Sequence, residues 1–164
     1  KGAQSNMNWL ASELGGPIDF KILQGDARNA SEVVGEPVDA IAFEPDLGPV
    51  YREVPTQDEA RRSVGGLTDL YRETLTSLQS VLRPGGRVAM TVPVVLSRQG
   101  AISVDLERML DSTAFSVYTM LPSGRFSESV KTAEGGKIRT ERKRLPERKQ
   151  GQTVQREVLM LGLD

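Results

Sequence analysis

Apolar and polar positions alternate along this chain with two periods, and the switches between them mark its elements. Residues 3 to 14 (AQSNMNWLASEL) place Ala3, Met7, Leu10, Ala11 and Leu14 at helical spacing, and Gly15-Gly16 ends the run. After Pro17, Ile18 to Leu23 alternates as a strand leading into QGDAR, and residues 30 to 34 (ASEVV) suit one helical turn. Val38 to Phe43 is an apolar strand of the kind buried on both faces in a parallel sheet. A loop over 46 to 57, with Pro45, Pro49 and Pro55 in or beside it, precedes a long helix predicted from about Gln57 to Leu82. Leu67, Leu70, Tyr71, Leu75, Leu78 and Leu82 form its apolar stripe, and Pro84-Gly85-Gly86 stops it. Gly65-Gly66 marks a place for a break or kink near its start.

A second buried strand follows over 87 to 95 (RVAMTVPVV). An amphipathic helix is predicted over 102 to 112, with Ile102, Leu106, Met109 and Leu110 inward. Residues 115 to 121 alternate as a strand, and 155 to 163 (QREVLMLGL) close the chain as another. Helices alternating with buried strands predict a doubly wound α/β sheet, and 164 residues fit one domain over 1–164. The last two strands are joined by a long polar excursion instead of a helix, so they are expected as an antiparallel pair at one edge.

Composition narrows the chemistry more than the fold. The chain has no cysteine and no histidine, which removes disulfides, thiolate metal sites and the commonest general base and metal ligand. Any reaction must rest on carboxylates, hydroxyls, backbone groups or a cofactor; no metal is expected. No apolar stretch is long enough to span a membrane, and no apolar leader opens the chain, so a cytoplasmic protein is expected. The net charge of −1 hides an asymmetry. Residues 131 to 149 hold eight basic and three acidic residues, a local charge of +5; the other 13 basic and 19 acidic residues give −6. This basic stretch, roughly 130–152, is either a mobile, solvated hairpin punctuated by Gly135-Gly136, Pro146 and Gly151, or a track for a phosphate backbone through Lys137, Arg139, Arg142, Lys143 and Arg144.

Three stretches stand in a telling order: QGDAR after one strand, DAIAFEPDLGP at the next, and LRPGGRVAMTVP leading into a third. Together they resemble class I S-adenosylmethionine-dependent methyltransferases. More narrowly, they resemble amino-methyltransferases of the tRNA guanine-10 and DNA-modification-methylase type. The resemblance covers roughly residues 1 to 121, and the tail more loosely. It implies a Rossmann-like methyltransferase sheet, S-adenosylmethionine as cofactor, and an exocyclic amine of a nucleic-acid base as methyl acceptor, in tRNA more readily than DNA. It also implies that Asp26, with Ala27 beside it, accepts a hydrogen bond from the cofactor's adenine amine. The bland alternative is that Gly25-Asp26 is a turn pair closing a strand.

By the same resemblance Glu44-Pro45-Asp46-Leu47-Gly48 occupies the place of the catalytic acid-Pro-Pro-aromatic motif, with Glu44 at the cofactor edge as well. A carboxylate and a proline-held carbonyl can orient an amine without histidine. This chain departs from the motif in three ways. Glu44 is one methylene longer than Asp, about 1.5 Å of reach; Asp46 replaces the second proline; and Leu47 replaces the aromatic that would stack on a flipped base. Tyr51, a few residues on, is an aromatic that could take over. The family's Gly-rich cofactor turn and ribose-binding acid have no counterpart, because Ala3-Gln4-Ser5-Asn6 matches a segment that follows them. The first strands are thus expected to be missing, as in the C-terminal portion of a longer protein, with this chain alone inactive. An exposed sheet edge would then favour a homodimer. The competing expectation is a catalytically silent domain of the same fold that binds RNA or a protein partner.

Overall fold

A computed structural model describes residues 2–120 and 142–163. Its elements, in order, are α1 (Gly2–Glu13), a 3₁₀ turn (Ala27–Asn29), α2 (Ala30–Val33), β1 (Val38–Phe43), α3 (Gln57–Leu78), β2 (Leu82–Ser97), β3 (Gly100–Ser103), α4 (Leu106–Leu110), β4 (Phe115–Val117), β5 (Leu145–Glu147) and β6 (Val154–Leu163). The strands form one six-stranded sheet in the order β1-β2-β6-β4, with β3 paired to β2 and β5 to β6. β1 and β2 are parallel, joined by α3 as a crossover helix, and β6 runs antiparallel between β2 and β4. The fold is the mixed α/β, Rossmann-like architecture expected from the sequence, including the antiparallel β4–β6 pair.

α3 positions everything else. Thr56 caps it: its hydroxyl accepts from the Glu59 amide while Glu59 accepts in turn from the Thr56 amide, a reciprocal capping box. Ala60, Val64, Leu67, Tyr71, Leu75 and Leu78 recur at helical spacing and are all buried. The first five pack on the sheet face carrying Val88, Met90, Leu159 and Leu161, where Val88 pairs with Leu161 and Met90 with Leu159 across the β2–β6 ladder, while Leu78 packs with Ala30 and Val81. Met109 of α4 and Phe115 of β4 complete this core. The opposite face, with Ala89 beside Met160, is only partly covered.

Several expectations need correction. Residues 18–23 form no strand: among the described residues the sheet ends at β1, and no neighbour there offers these residues a ladder of hydrogen bonds. For the same reason β1 has the sequence of an interior strand yet has only half-buried and exposed positions. α3 stops at Leu78, not Leu82, and runs unbroken through Gly65-Gly66. Leu82 belongs to β2, and the Arg83–Gly86 segment bulges where Val38 pairs with Leu82 but Ala40 with Arg87. The helix expected over 102–112 is a hairpin strand followed by five helical residues, since Ile102 pairs with Val95 and Asp105 caps α4 through the Arg108 amide. β4 ends at Val117 rather than 121.

Candidate functional site

β1 delivers its chain into the loop EPDLGP at the carboxyl end of the sheet, where open α/β folds place ligands. The loop's shape is held by three devices. Pro45 and Pro49 fix two backbone angles. Asp46 folds its carboxylate back onto the Gly48 amide at 2.9 Å, an Asx turn that puts Gly48 at φ +94°. Finally, the buried Tyr71 hydroxyl donates to the Asp46 carbonyl, fastening the loop to α3. Burial first, and the Asp46 charge second, raise the Tyr71 pKa, so this phenol stays a hydrogen-bond donor across the physiological range. Gly48 also sits against Leu67 and Ser63, each 3.1 Å from where a Cβ would lie.

Glu44, the first residue after β1, is half exposed and accepts an ion-paired contact from Arg156 Nε at 3.0 Å. Arg156 lies on β6 and also approaches Glu147 of β5 at 3.7 Å. The loop, the β5–β6 turn and Arg156 enclose an open cleft of about 350 Å³ lined by Leu47, Pro49, Tyr51, Gln152, Thr153 and Val154 among others. Its walls combine apolar surface with an amide, a hydroxyl and a guanidinium. The structure thus gathers Glu44, Pro45, Asp46 and Leu47 with Tyr51 and Arg156. The last was not singled out from the sequence. Its one local signal is the Arg156-Glu157 charge pair inside an otherwise apolar strand.

Asp26 stands elsewhere. It caps the 3₁₀ turn by accepting from the Arg28 amide, and both its oxygens are held by the Arg28 side chain at 2.6–3.1 Å. The Arg28 hydrogen bonds hold its pKa down at about 2. Asp26 lines a different open cleft, of about 460 Å³, with Arg28, Arg72, Glu73 and Thr76; Ala27 begins the 3₁₀ turn beside it. Arg28 reaches Glu73 of α3 as well, at 3.7 Å. Asp26, the acceptor that the resemblance assigns to an adenine amine, is thus already engaged by an arginine. No run of glycine amides follows a strand and opens a helix among the described residues, as a cradle for the other end of S-adenosylmethionine would require. The described residues do not by themselves build a complete site for that cofactor.

Of the basic residues named from the sequence, Lys137 and Arg139 lie outside the described residues. Arg142 and Lys143 flank β5, and the Arg142 carbonyl accepts from the Met120 amide at 2.9 Å. Arg144 is engaged internally, ion-paired to Glu157 at 2.9 Å and donating to the Val104 carbonyl at 2.9 Å. No group of three or more acidic residues suited to a metal occurs among the described residues, and no described helix is long and apolar enough to cross a membrane.

The fold at hand is a Rossmann-like α/β sheet ending on an antiparallel strand, and solved structures similar to it include the following. TrmN from Thermus thermophilus matches 94% of this chain at 21% identity with a TM-score of 0.48, and the chain spans 31% of its length. An rRNA methylase from Streptococcus thermophilus matches 99% of the chain and 68% of its own length at 16% identity and a TM-score of 0.45. A methyltransferase homologue from Pyrococcus horikoshii matches 96% of the chain and 49% of its own length at 15% identity and a TM-score of 0.49. No family model matches the chain, and no curated protein is similar to it in sequence.

Proposed function

We propose that this chain carries the target-amine end of an S-adenosylmethionine-dependent methyl transfer to an exocyclic amine of a nucleic-acid base, in tRNA before DNA. One observation carries the proposal: Glu44 leaves the carboxyl end of β1 on a loop made rigid by two prolines, an Asx turn and the Tyr71 hydrogen bond, beside a cleft of about 350 Å³. On this reading the Glu44 carboxylate and the Pro45 carbonyl accept the two amine N–H bonds, turning the nitrogen lone pair toward the methyl donor. The bound cofactor would supply the electrophilic methyl group, with Asp26 at its adenine edge once Arg28 shares or yields that carboxylate. Leu47 offers the base an apolar wall and Tyr51 an aromatic one.

Calorimetric titration of S-adenosylhomocysteine, followed by transfer of labelled methyl groups to unmodified tRNA, tests the proposal in a longer protein that carries the first strands. Glu44→Gln is expected to abolish transfer with cofactor affinity retained, and turnover that survives the substitution overturns the role of Glu44. A second reading, a catalytically silent nucleic-acid-binding domain, is favoured by the Glu44–Arg156 contact, which engages one oxygen of the carboxylate the chemistry needs. Nucleic-acid binding without any transfer would select it.

A further inference from the structure

The loop that carries Glu44 continues into a second open cleft, of about 570 Å³, into which Arg52, Arg62 and Arg98 converge from three different elements. Arg52 lies on the loop, Arg62 on the first turns of α3, and Arg98 in the turn after β2. All three are exposed, and among the described residues none forms an ion pair. Arg98 is nevertheless oriented: its Nε donates to the Val54 carbonyl at 3.3 Å and its amide to the Pro55 carbonyl at 3.0 Å. Two acids share the cleft, Glu53 and Glu59; one Glu59 oxygen accepts from the Thr56 amide and hydroxyl, both at 2.8 Å, and its charge also faces Arg62 and Arg98, so the three guanidiniums outnumber the two carboxylates by one.

Tyr51 forms part of the wall of this cleft and of the cleft beside Glu44, so the two are neighbours along one surface. Its hydroxyl is buried and has no hydrogen-bond partner among the described residues. Such a group is costly unless something completes it. Guanidinium groups suit phosphate oxygens because their planar forks donate two parallel bonds. By contrast Arg144, in the conspicuous basic stretch, is committed to Glu157 and Val104.

We infer that the Arg52–Arg62–Arg98 cleft binds the phosphodiester backbone of a single nucleic-acid strand, holding it so that an adjacent nucleotide enters the cleft beside Glu44. The inference rests on the proposal that the substrate is a nucleic acid, and it assigns the backbone contacts to a surface that carries no conspicuous run of charge in the sequence.

The test is fluorescence anisotropy of a fluorescein-labelled single-stranded RNA, and of the DNA of the same sequence, titrated with the 164-residue chain over a range of potassium chloride. No cofactor is added, so binding is read separately from transfer. Removing the cation that neutralises one phosphate lowers the salt slope by about 0.7 for a single strand, so Arg52→Ala/Arg62→Ala/Arg98→Ala is expected to lower it by about 2 and weaken binding roughly tenfold or more at low salt. Arg52→Ala/Arg62→Ala, whose side chains make no ion pair among the described residues, is expected to keep the wild-type Tm and show about two-thirds of that reduction. Arg142→Ala/Lys143→Ala serves as the comparison and is expected to change the slope less. Absence of wild-type binding, an unchanged slope in the triple variant, or an equal reduction in the Arg142/Lys143 variant would each overturn the inference. Arginine-dependent binding, together with no methyl transfer when a longer protein carrying the first strands is supplied with S-adenosylmethionine, would leave it standing and overturn the methyl-transfer proposal alone.

Discussion

The segment 2–26 and the α3–β2–β6 core have similar local patterns but different fates. In the core, Ala60, Val64, Leu67, Tyr71 and Leu75 of α3 share one buried cluster with the sheet, and Leu75, Val88, Leu159 and Leu161 are fully buried. In the N-terminal segment, α1 forms with the predicted spacing yet buries nothing, and Trp9, Leu10, Leu14, Ile22 and Leu23 stay exposed. A helix can satisfy its own backbone, so α1 persists without neighbours; a strand cannot, so Ile18–Leu23 forms none. Periodicity reports what a segment could bury, while formation of a strand depends on a second segment arriving beside it.

The sharpest way to break this contrast is at its two extremes. Leu75→Ala should cost about 2–5 kcal/mol in denaturant unfolding, because it empties the centre of the core. Gly48→Ala should follow at about 1–3 kcal/mol, since it forces a side chain onto a positive φ and against Leu67 and Ser63. Thr56→Ala, which removes the α3 cap, should cost about 1 kcal/mol. Trp9→Ala should fall within about 0.5 kcal/mol. A Trp9 cost comparable to that of Leu75 would show that α1 packs after all. Trp9 is the only tryptophan, so its emission gives an independent check. Water-like emission is expected at low concentration, moving to shorter wavelength if the expected homodimer covers α1; a clean monomer in sedimentation at high concentration would remove that expectation.

The smallest effect concerns the charge at the end of the N-terminal segment. Asp26 titrates well below an ordinary carboxylate, at about 2, because of Arg28. A lowered folded-state pKa means that its contribution is present above the ordinary carboxylate range and is lost as the pH falls through about 2. Carboxyl NMR should show Asp26 titrating there, and Arg28→Ala should return it to the usual range. No shift in that variant would dissociate Asp26 from Arg28 and leave its carboxylate open to another donor.

The sequence carried the loop at Glu44 because its signals are local: an apolar strand, then an acid, then two prolines around a glycine. β1 and β6 were also legible, the first to the residue. What escaped were contacts between distant segments. Arg156 lies far along the chain from Glu44 and meets it only because β6 returns next to β2. β5, at Leu145–Glu147, exists by pairing with β6 inside a stretch whose composition is polar. Ile102 has helical spacing to Leu106 and Met109, but the tight turn at Gly100 made it a hairpin residue instead. The resemblance placed Asp26 and Glu44 in one site, whereas they line or adjoin separate clefts.

The Tyr71 bond to the Asp46 carbonyl has a further consequence for how this surface can change. The loop takes its form from prolines, a glycine, the Asp46 side chain and a helix residue outside it, and none of these is Leu47. Position 47 is therefore an interchangeable fitting on a fixed mount: a new side chain there alters what the cleft presents without reshaping the frame. Leu47→Tyr would add an aromatic face beside Glu44 at little structural expense, and with it a different appetite for flat ligands.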